Sequence, residues 1–244
     1  MAKTAGILVI GNELLSGKAV DENSPFLARE LRDLGVDVRR ITVIGDDVSA
    51  LAAETAAFSR AFDHVFTTGG VGPTHDDVTM EAIARAFERP LARSSELVSA
   101  LAMLYPPECL EANLRMADVP AGARLVGPGL VFPVIAVENV YIFPGVPEIL
   151  RRKFTRIREL FREAPFRLRE IYLRDDEGRV APALNRVLDQ FPDLMLGSYP
   201  YLDNPDYSIK ITLESKDASY LERASVLLLE ELSKIDVKPV NSGL

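Results

Sequence analysis

One glycine-rich stretch decides the fold of this chain: Thr67-Thr68-Gly69-Gly70-Val71-Gly72-Pro73-Thr74-His75-Asp76-Asp77-Val78-Thr79. Residues 63–67 lead into it with the β-branched and aromatic side chains of a strand, and residues 78–87 follow with apolar side chains at helical spacing. The stretch is therefore predicted to join a strand end to a helix start. Ligands bind at such turns of an open parallel α/β sheet, because backbone N–H groups and the positive end of the helix dipole face outward there.

The spacing of the glycines excludes two common phosphate-binding motifs. The loop lacks the Gly-Lys-Ser/Thr of a P-loop, and Gly70-Val71-Gly72 has no third glycine three residues further on. The loop is distinguished instead by Asp76 and Asp77 at the helix entrance. A carboxylate there can cap free N–H groups or hold a hard cation against a phosphate. For Asp76 taken alone, the sequence leaves both roles open.

Composition and charge limit the kinds of partner. The 244 residues are 48% hydrophobic and 26% charged, as in a soluble globular protein, and the net charge is −8. This balance argues against broad attraction to nucleic acid or to an anionic membrane. No apolar run reaches the roughly 18 residues of a membrane span. The single cysteine, Cys109, and a start without a signal-peptide pattern predict a cytoplasmic protein without an internal disulfide.

Strands and helices alternate along the first part of the chain in the way that builds a mostly parallel sheet. Residues 5–10 form a continuous apolar run, which is typical of a strand buried on both faces. Further strands are predicted at residues 36–44, 62–67 and 139–143. Two helices are predicted between the first three strands, one with Ser24 as N-cap and one with Ser49 as N-cap.

Acidic residues follow the first three predicted strands. These residues are Glu13, then Asp46 and Asp47, then Asp76 and Asp77. The ends of parallel strands share one edge of a sheet, so the acids are expected to line one rim together with the turn at Pro144. Carboxylate oxygens are ligands for Mg²⁺ or Mn²⁺, and there is no Cys/His cluster to indicate zinc. The plainer alternative for each acid is that it is only solvated.

Several motifs resemble those of one known family. They are Gly11-Asn12-Glu13-Leu14-Leu15-Ser16-Gly17, Asp21-x-Asn23, the loop from Thr68 to Thr79, Met116-Ala117-Asp118-Val119-Pro120 and Phe143-Pro144-Gly145-Val146-Pro147-Glu148. The chain resembles the MoaB/Mog-like molybdopterin-binding domain, in the version found in competence/damage-inducible protein A (CinA) and at the N-terminus of eukaryotic FAD synthases. The resemblance implies a three-layer α/β/α fold with a rim pocket for a pterin or a nucleotide and its phosphates.

The resemblance also implies a chemistry. In the cofactor-synthesis members, acids matching Asp77 and Asp46 support metal-dependent adenylyl transfer to molybdopterin. His75-Asp76-Asp77 departs from the Gly-Arg-Asp of those members, and the extra carboxylate favours a second metal contact over a bidentate phosphate contact. Damage-inducible relatives carry the Asp-Asp form, which implies metal-dependent hydrolysis of the pyrophosphate in ADP-ribose or FAD.

The expected site follows from these comparisons of motifs. Asp46, Asp76 and Asp77 are expected to be catalytic and to hold a divalent cation, which is Mg²⁺, Mn²⁺ or Co²⁺. His75 is a candidate acid, base or phosphate donor, and His64 is expected to be structural. The residues expected to contact the substrate are Gly69, Gly70, Gly72, Pro73, Thr74, His75, Thr79, Glu13, Pro144 and Gly145.

The sequence changes character after residue 165. Residues 166–244 show a β-α-β-β-α pattern, which predicts a second, smaller α+β domain behind a first domain of residues 1–165. This segment has no clustered basic stripe and no Gly-x-x-Gly clamp, so we do not expect it to bind nucleic acid. Dimerisation or shaping of the pocket is the expected task, and a homo-oligomer (dimer or trimer) is the expected assembly. Tyr199-Pro200-Tyr201 is interpreted as a plain hairpin loop, with ring stacking as the alternative.

Three functions stay open at this stage. The leading hypothesis is a metal-dependent nucleotide pyrophosphatase, supported by Asp76 and Asp77. The alternatives are a molybdopterin adenylyltransferase of molybdenum cofactor biosynthesis and a non-catalytic nucleotide-sensing module. Since the sequence ends at Leu244, neither a deamidase nor an FAD adenylyltransferase activity is expected.

Overall fold

A computed structural model describes residues 2–127 and 129–242 of the chain. The structure divides into two compact units, Met1–Glu163 and Ala164–Leu244. The division falls close to the boundary expected after residue 165.

The first unit is built on a mixed, mostly parallel sheet. Its strands are β1 (Thr4–Ile10), β2 (Asp37–Ile44), β3 (His64–Thr68), β4 (Leu91–Arg93), β5 (Asp118–Pro120), β6 (Arg124–Val126), β7 (Val134–Val137) and β8 (Val140–Phe143). Six strands form the main sheet in the order β2-β1-β3-β8-β7-β6. The first four of these strands are parallel, whereas β7 and β6 are antiparallel to their neighbours. Strands β4 and β5 pair separately.

Helices cover both faces of this sheet. They are α1 (Asn12–Leu15), α2 (Asn23–Asp33), α3 (Val48–Ala61), α4 (Thr79–Ala86), α5 (Ser95–Leu104), α6 (Pro107–Asn113) and α7 (Pro147–Ile157), with 3-10 turns at Leu114–Ala117 and Arg158–Phe161. Two hydrophobic clusters form, one on each side of β1: Leu8 contributes to the cluster with Phe58, and Ile7 to the cluster with Phe154. The predicted three-layer α/β/α arrangement is confirmed, because the apolar run of β1 is buried on both faces.

The starts of two helices differ from the sequence prediction. Helix α2 begins at Asn23, where the Asp21 carboxylate accepts hydrogen bonds from the N–H groups of Asn23 (2.9 Å) and Ser24 (3.0 Å). Helix α3 is capped by Asp47, whose Oδ1 accepts from the N–H of Ala50 at 2.7 Å. The predicted caps, Ser24 and Ser49, are therefore wrong. In α3 the aspartate two residues earlier takes the position, since a carboxylate is as good a cap as a hydroxyl and also favours the helix dipole. In α2 the N-cap residue is Glu22, and the side chain of Asp21 just before it binds the first N–H groups.

The second unit is a four-stranded antiparallel sheet with two helices. Its elements are β9 (Arg167–Leu173), α8 (Glu177–Gln190), β10 (Met195–Pro200), β11 (Ile209–Ser215), α9 (Ala218–Ser233) and β12 (Pro239–Ser242). The strand order is β10-β11-β9-β12. One hydrophobic core joins alternate residues of β9 and β11 to both helices, with Ile171, Ile211, Val187 and Leu228 at its centre. This agrees with the predicted smaller α+β unit.

Two further observations bear on the predicted environment. No helix among the described residues is long and apolar enough to cross a membrane. Cys109 is exposed and is a free thiol. The cytoplasmic location and the homo-oligomeric state stay predictions.

Candidate functional site

The turns singled out in the sequence lie at one edge of the first sheet. Because β2, β1, β3 and β8 are neighbours and parallel, their carboxyl ends point the same way. The turns that follow them begin at Gly45, Gly11, Gly69 and Pro144. Ligands bind at this edge in open parallel sheets.

The glycine loop starts with a close crossing over the end of β1. Gly69 has φ +104°, and a Cβ placed on it would lie 2.1 Å from the Ile10 carbonyl oxygen. A side chain at this position would collide with backbone, so glycine is required by both conformation and space. Gly145 lies on the other side, where its Cβ position would be 3.4 Å from the Gly69 Cα. The loop is thereby enclosed between the β1 and β8 turns.

Thr79 holds this loop from below. It is fully buried, its hydroxyl donates to the Gly69 carbonyl at 2.8 Å, and its N–H donates to the Gly70 carbonyl at 3.0 Å. The side chain expected to contact a substrate is therefore buried and engaged by the loop, and that contact stays a prediction. The residue positions the loop carbonyls.

Asn23 ties the same loop to the turn after β8. Its side-chain amide donates to the Thr68 hydroxyl at 2.9 Å and to the Gly145 carbonyl at 2.7 Å. The Thr68 hydroxyl in turn donates to the Pro144 carbonyl at 3.0 Å. Pro144 and Gly145 are held beside the glycine loop by these bonds, and the Asp21-x-Asn23 motif acquires a structural role.

Asp77 closes the tip of the loop. Its Oδ2 accepts from the Thr74 N–H at 2.8 Å and from the Thr74 hydroxyl at 2.5 Å. A Cβ on Gly72 would lie 2.7 Å from the same oxygen, so Gly72 allows the carboxylate to fold against the loop. One oxygen of Asp77 is thus committed to the turn. Its Oδ1 forms no hydrogen bond with the described residues, so this oxygen is available for another contact.

The remaining tip residues are exposed. Pro73, Thr74, His75 and Asp76 are all open to solvent, and the His75 side chain is 98% exposed. The Thr74 hydroxyl, which also bonds Asp77, and the Asp76 N–H lower the pKa of the Asp76 carboxyl from its usual 3.8, so it is charged at neutral pH. His64 lies elsewhere: burial lowers its pKa, and its ring centroid is 5.2 Å from that of Phe161. The expected structural role of His64 agrees with this position.

Asp46 is engaged in a reciprocal contact with the β1 turn. Its Oδ2 accepts from the Asn12 N–H at 3.0 Å, and its N–H donates to the Asn12 side-chain oxygen at 3.4 Å. The Glu13 carboxylate is exposed and folds back beside Gly11, where a Cβ would lie 2.3 Å from Glu13 Oε1. Asp46 therefore links the turn after β2 to the turn after β1. The strand β1 in turn neighbours β3, whose end carries the glycine loop.

The acids of this edge do not form a ready-made metal cage. Within residues 2–127 and 129–242, no group of three or more His, Cys, Asp or Glu side chains is placed to hold a metal ion. Asp76 and Asp77 are adjacent in the loop, whereas Asp46 is bonded to the β1 turn. The metal-binding role of these three aspartates stays a prediction.

Arg115 is a site residue that the sequence reasoning missed. It lies in the 3-10 turn after α6, and its guanidinium donates to the Thr74 carbonyl at 2.6 Å and to the Asp77 carbonyl at 3.2 Å. A cavity of about 170 Å³ lies between this turn and the glycine loop. Its lining is Gly70, Val71, Gly72, Asp77, Met80, Glu81, Leu91, Arg115, Met116 and Asp118. The Met116–Pro120 motif therefore forms the wall opposite the loop.

The sequence of the first unit identifies its family. Residues 6–163 match the family described as probable molybdopterin binding domain. The chain belongs to this molybdopterin-binding domain family. Residues 165–241, in the second unit, match the middle domain of FAD synthase.

Two relatives, one from a nematode and one from an archaeon, are similar to nearly the whole chain. A probable FAD synthase of Caenorhabditis elegans is 37% identical over 94% of the chain, but the match spans only 50% of that relative. A protein of Archaeoglobus fulgidus is 36% identical over 93% of the chain and 96% of its own length. The chain thus spans about half the length of the nematode relative and nearly all of the archaeal one.

A solved structure of a family member shares the fold of the first unit. The CinA protein of Thermoplasma acidophilum, whose function is unknown, superposes with a TM-score of 0.59 at 27% identity. The superposition covers 66% of this chain and 100% of that one. A CinA-like protein of Mycolicibacterium vanbaalenii is also 36% identical over 62% of the chain. The resemblance stated from the motifs is therefore confirmed.

Proposed function

We propose that the protein binds a dinucleotide by its pyrophosphate group at the glycine loop and hydrolyses that group with a divalent cation. The observation that supports this most is the loop backbone. The N–H groups of Val71 and Gly72 donate to no acceptor in the part of the chain that the structure describes, and both residues line the cavity. Successive backbone N–H groups without an acceptor favour phosphate oxygens.

The size of the cavity indicates which part of the ligand it would take. Pockets for whole small ligands have about 300–1,000 Å³, whereas this cavity has about 170 Å³. It suits a phosphate group rather than a complete nucleoside. The nucleoside portions would lie over the exposed tip formed by Pro73, Thr74, His75 and Asp76.

The residues present fit a cation that arrives with its substrate. Mg²⁺ is commonly bound by one or two carboxylates together with substrate phosphates and water, rather than by a cage of protein ligands. Asp77 offers Oδ1, and the Asp76 side chain is 60% exposed and charged. A cation between these carboxylates and the phosphates would neutralise charge that develops during hydrolysis. Mn²⁺ and Co²⁺ would suit the same oxygen ligands.

The reaction is a simple displacement at phosphorus. The oxygen of a water molecule bonds to one phosphorus while the bridging P–O bond breaks, and the leaving phosphate retains the bridging oxygen. ADP-ribose would give AMP and ribose phosphate, and FAD would give AMP and FMN. The N–H groups of Val71 and Gly72 would hold the non-bridging oxygens in place, and Asp76 or Asp77 would orient the water.

The named relatives support a nucleotide ligand. The Caenorhabditis elegans relative is called a probable FAD synthase, an enzyme that handles a flavin and an adenine nucleotide. Synthesis of FAD is a transfer reaction, so hydrolysis by this chain rests on the Asp76-Asp77 loop and not on that name. Molybdopterin adenylyl transfer has no contact in the structure that favours it over hydrolysis.

Product analysis with a charge-only variant tests the proposal. We would incubate the protein with ADP-ribose, FAD, NAD or ATP and each of Mg²⁺, Mn²⁺ and Co²⁺, and separate the products by chromatography. Asp77→Asn keeps an oxygen that accepts the Thr74 bonds but removes the charge, so the turn should persist. Asp47→Asn is the matched control, because asparagine is also a good N-cap for α3.

The outcomes separate the three hypotheses. AMP release by the wild type and the Asp47 variant, with a loss in the Asp77 variant, supports hydrolysis. Thermal stabilisation by a nucleotide without turnover would instead indicate a sensing module. Adenylyl transfer from ATP to a pterin, without hydrolysis of the dinucleotides, would indicate the cofactor-synthesis activity.

A further inference from the structure

Arg115 is fixed on the glycine loop by acceptors that carry no charge. Nη1 donates to the Thr74 carbonyl at 2.6 Å, and Nη2 donates to the Asp77 carbonyl at 3.2 Å. A guanidinium has five N–H donors, so these two bonds leave three. Because Arg115 is exposed and lines the cavity, those donors can be reached by a ligand.

The charges around the cavity show why a cation is needed there. The lining carries three carboxylates, Asp77, Glu81 and Asp118. Asp118 is neutralised by a bidentate pair with Arg93, both N–O distances being 2.8 Å. Among the described residues that line this cavity, Arg115 is the one Lys or Arg. Without its charge, a phosphate would face an acidic wall.

The loop itself supplies no comparable donor. His75 is at the tip, with its side chain 98% exposed, and Asp76 carries a negative charge. The 3-10 turn at Leu114–Ala117 instead brings an arginine to the loop from about 40 residues further along the chain. Its two backbone bonds hold the guanidinium in advance of binding, which reduces the entropy lost when a ligand binds.

We propose that Arg115 is the residue of this protein that binds the phosphate of the ligand by a charge-assisted, two-donor contact. This role rests on the proposed function, and it assigns the recognition of charge to a residue outside the glycine loop. Arginine suits this task because its planar donors match two phosphate oxygens at once. The ligand class is a phosphate or pyrophosphate ester.

The test is direct binding of pyrophosphate-containing ligands by calorimetry. Inorganic pyrophosphate and ADP-ribose are titrated into the wild type, Arg115→Met, Arg115→Lys and Arg124→Met, first without metal and then with Mg²⁺. Arg124 is the matched control, since it is exposed and its Nη2 donates to one backbone carbonyl, that of Glu138, at 2.7 Å. Thermal unfolding of each free variant checks that it is folded.

We expect Arg115→Met to lower the affinity for both ligands by about 10- to 100-fold, the loss typical of one hydrogen-bonded charge contact. Arg115→Lys should lie between, because it keeps the charge without the planar pair of donors that matches two phosphate oxygens, and Arg124→Met should match the wild type. Equal affinity of the wild type and Arg115→Met overturns the inference while leaving the proposed function intact. Absence of binding to the wild type, with and without Mg²⁺, overturns both.

Discussion

Replacing Gly69 by alanine tests the geometry on which the site depends. Gly69 has φ +104°, and the added Cβ would lie 2.1 Å from the Ile10 carbonyl oxygen, against 3.4–4 Å for ordinary contact. The obstacle is backbone at the end of β1, not the flexible end of a side chain. Either β1 or the glycine loop would have to move by about 1 Å, and β1 is hydrogen-bonded to strands on both sides.

The expected cost has two parts. A left-handed backbone costs a residue with a Cβ about 1–2 kcal/mol, and overpacking of a closely packed site costs about 1–3 kcal/mol or more. Gly69→Ala should therefore lower the free energy of unfolding by about 2–5 kcal/mol. Gly17→Ala is the control, because Gly17 has φ +71° and no atom within 4 Å of its Cβ position. That variant should cost about 1 kcal/mol, from conformation alone.

Urea denaturation followed by circular dichroism measures both variants. Calorimetry of the same samples shows whether the two units unfold in separate transitions, so that the change can be assigned to the first unit. Gly69→Ala should also bind ADP-ribose more weakly, since the loop is displaced. If the two variants lose the same free energy of unfolding to within about 0.5 kcal/mol, the close approach of Gly69 to the Ile10 carbonyl is refuted.

Other predictions concern residues that support the first unit. Burial lowers the pKa of Lys153 to about 8, so between about pH 8 and its ordinary value of 10.5 the folded protein binds fewer protons than the unfolded chain. The free energy of unfolding should rise with pH across that window by up to about 3 kcal/mol; Lys153→Met should lack this rise in urea titrations, and an unchanged rise would contradict the assignment. Asn139→Ala should cost about 2–3 kcal/mol, because the side chain donates to the carbonyls of Ser59 and Phe62; a loss below about 0.5 kcal/mol would count against these bonds. Thr79→Val should destabilise the first unit and weaken ADP-ribose binding, whereas Thr79→Ser, which loses a buried methyl group but retains the hydroxyl on the Gly69 carbonyl, should keep binding at a cost of about 1 kcal/mol; equal effects on binding would dismiss the positioning role.

The fold could be predicted because the pattern of apolar residues and the glycine-rich turns that end the strands agree along the first unit. The apolar run of residues 5–10 marked the central strand, and the glycine loop marked the end of β3. The local caps were harder, since Asp47 and Ser49 are both good capping residues and only the backbone at the helix start decides between them. In the structure the Asp47 carboxylate accepts the hydrogen bond from the Ala50 N–H.

The site was predicted in part, because the sequence shows residue types but not which atoms are already bonded. Thr79 looked like a ligand contact, yet its hydroxyl is consumed by Gly69. Asp46 was predicted to be a metal ligand; the structure adds that its Oδ2 accepts from the Asn12 N–H, and the metal-binding role stays a prediction. Arg115 left no local signal, since its contact with the loop depends on tertiary folding of the 3-10 turn. The neighbouring Met116–Pro120 motif was the one hint that this segment matters.

Hydrolysis of a dinucleotide at the glycine loop is tested most directly by incubating the protein with ADP-ribose and Mn²⁺ in ¹⁸O-labelled water. Mass spectrometry then shows whether the label enters a product phosphate. We predict AMP and ribose phosphate with one labelled oxygen between them for the wild type, and a loss of this product in Asp77→Asn. Recovery of intact ADP-ribose after incubation with the folded wild-type protein and each of Mg²⁺, Mn²⁺ and Co²⁺ would contradict hydrolysis at the glycine loop.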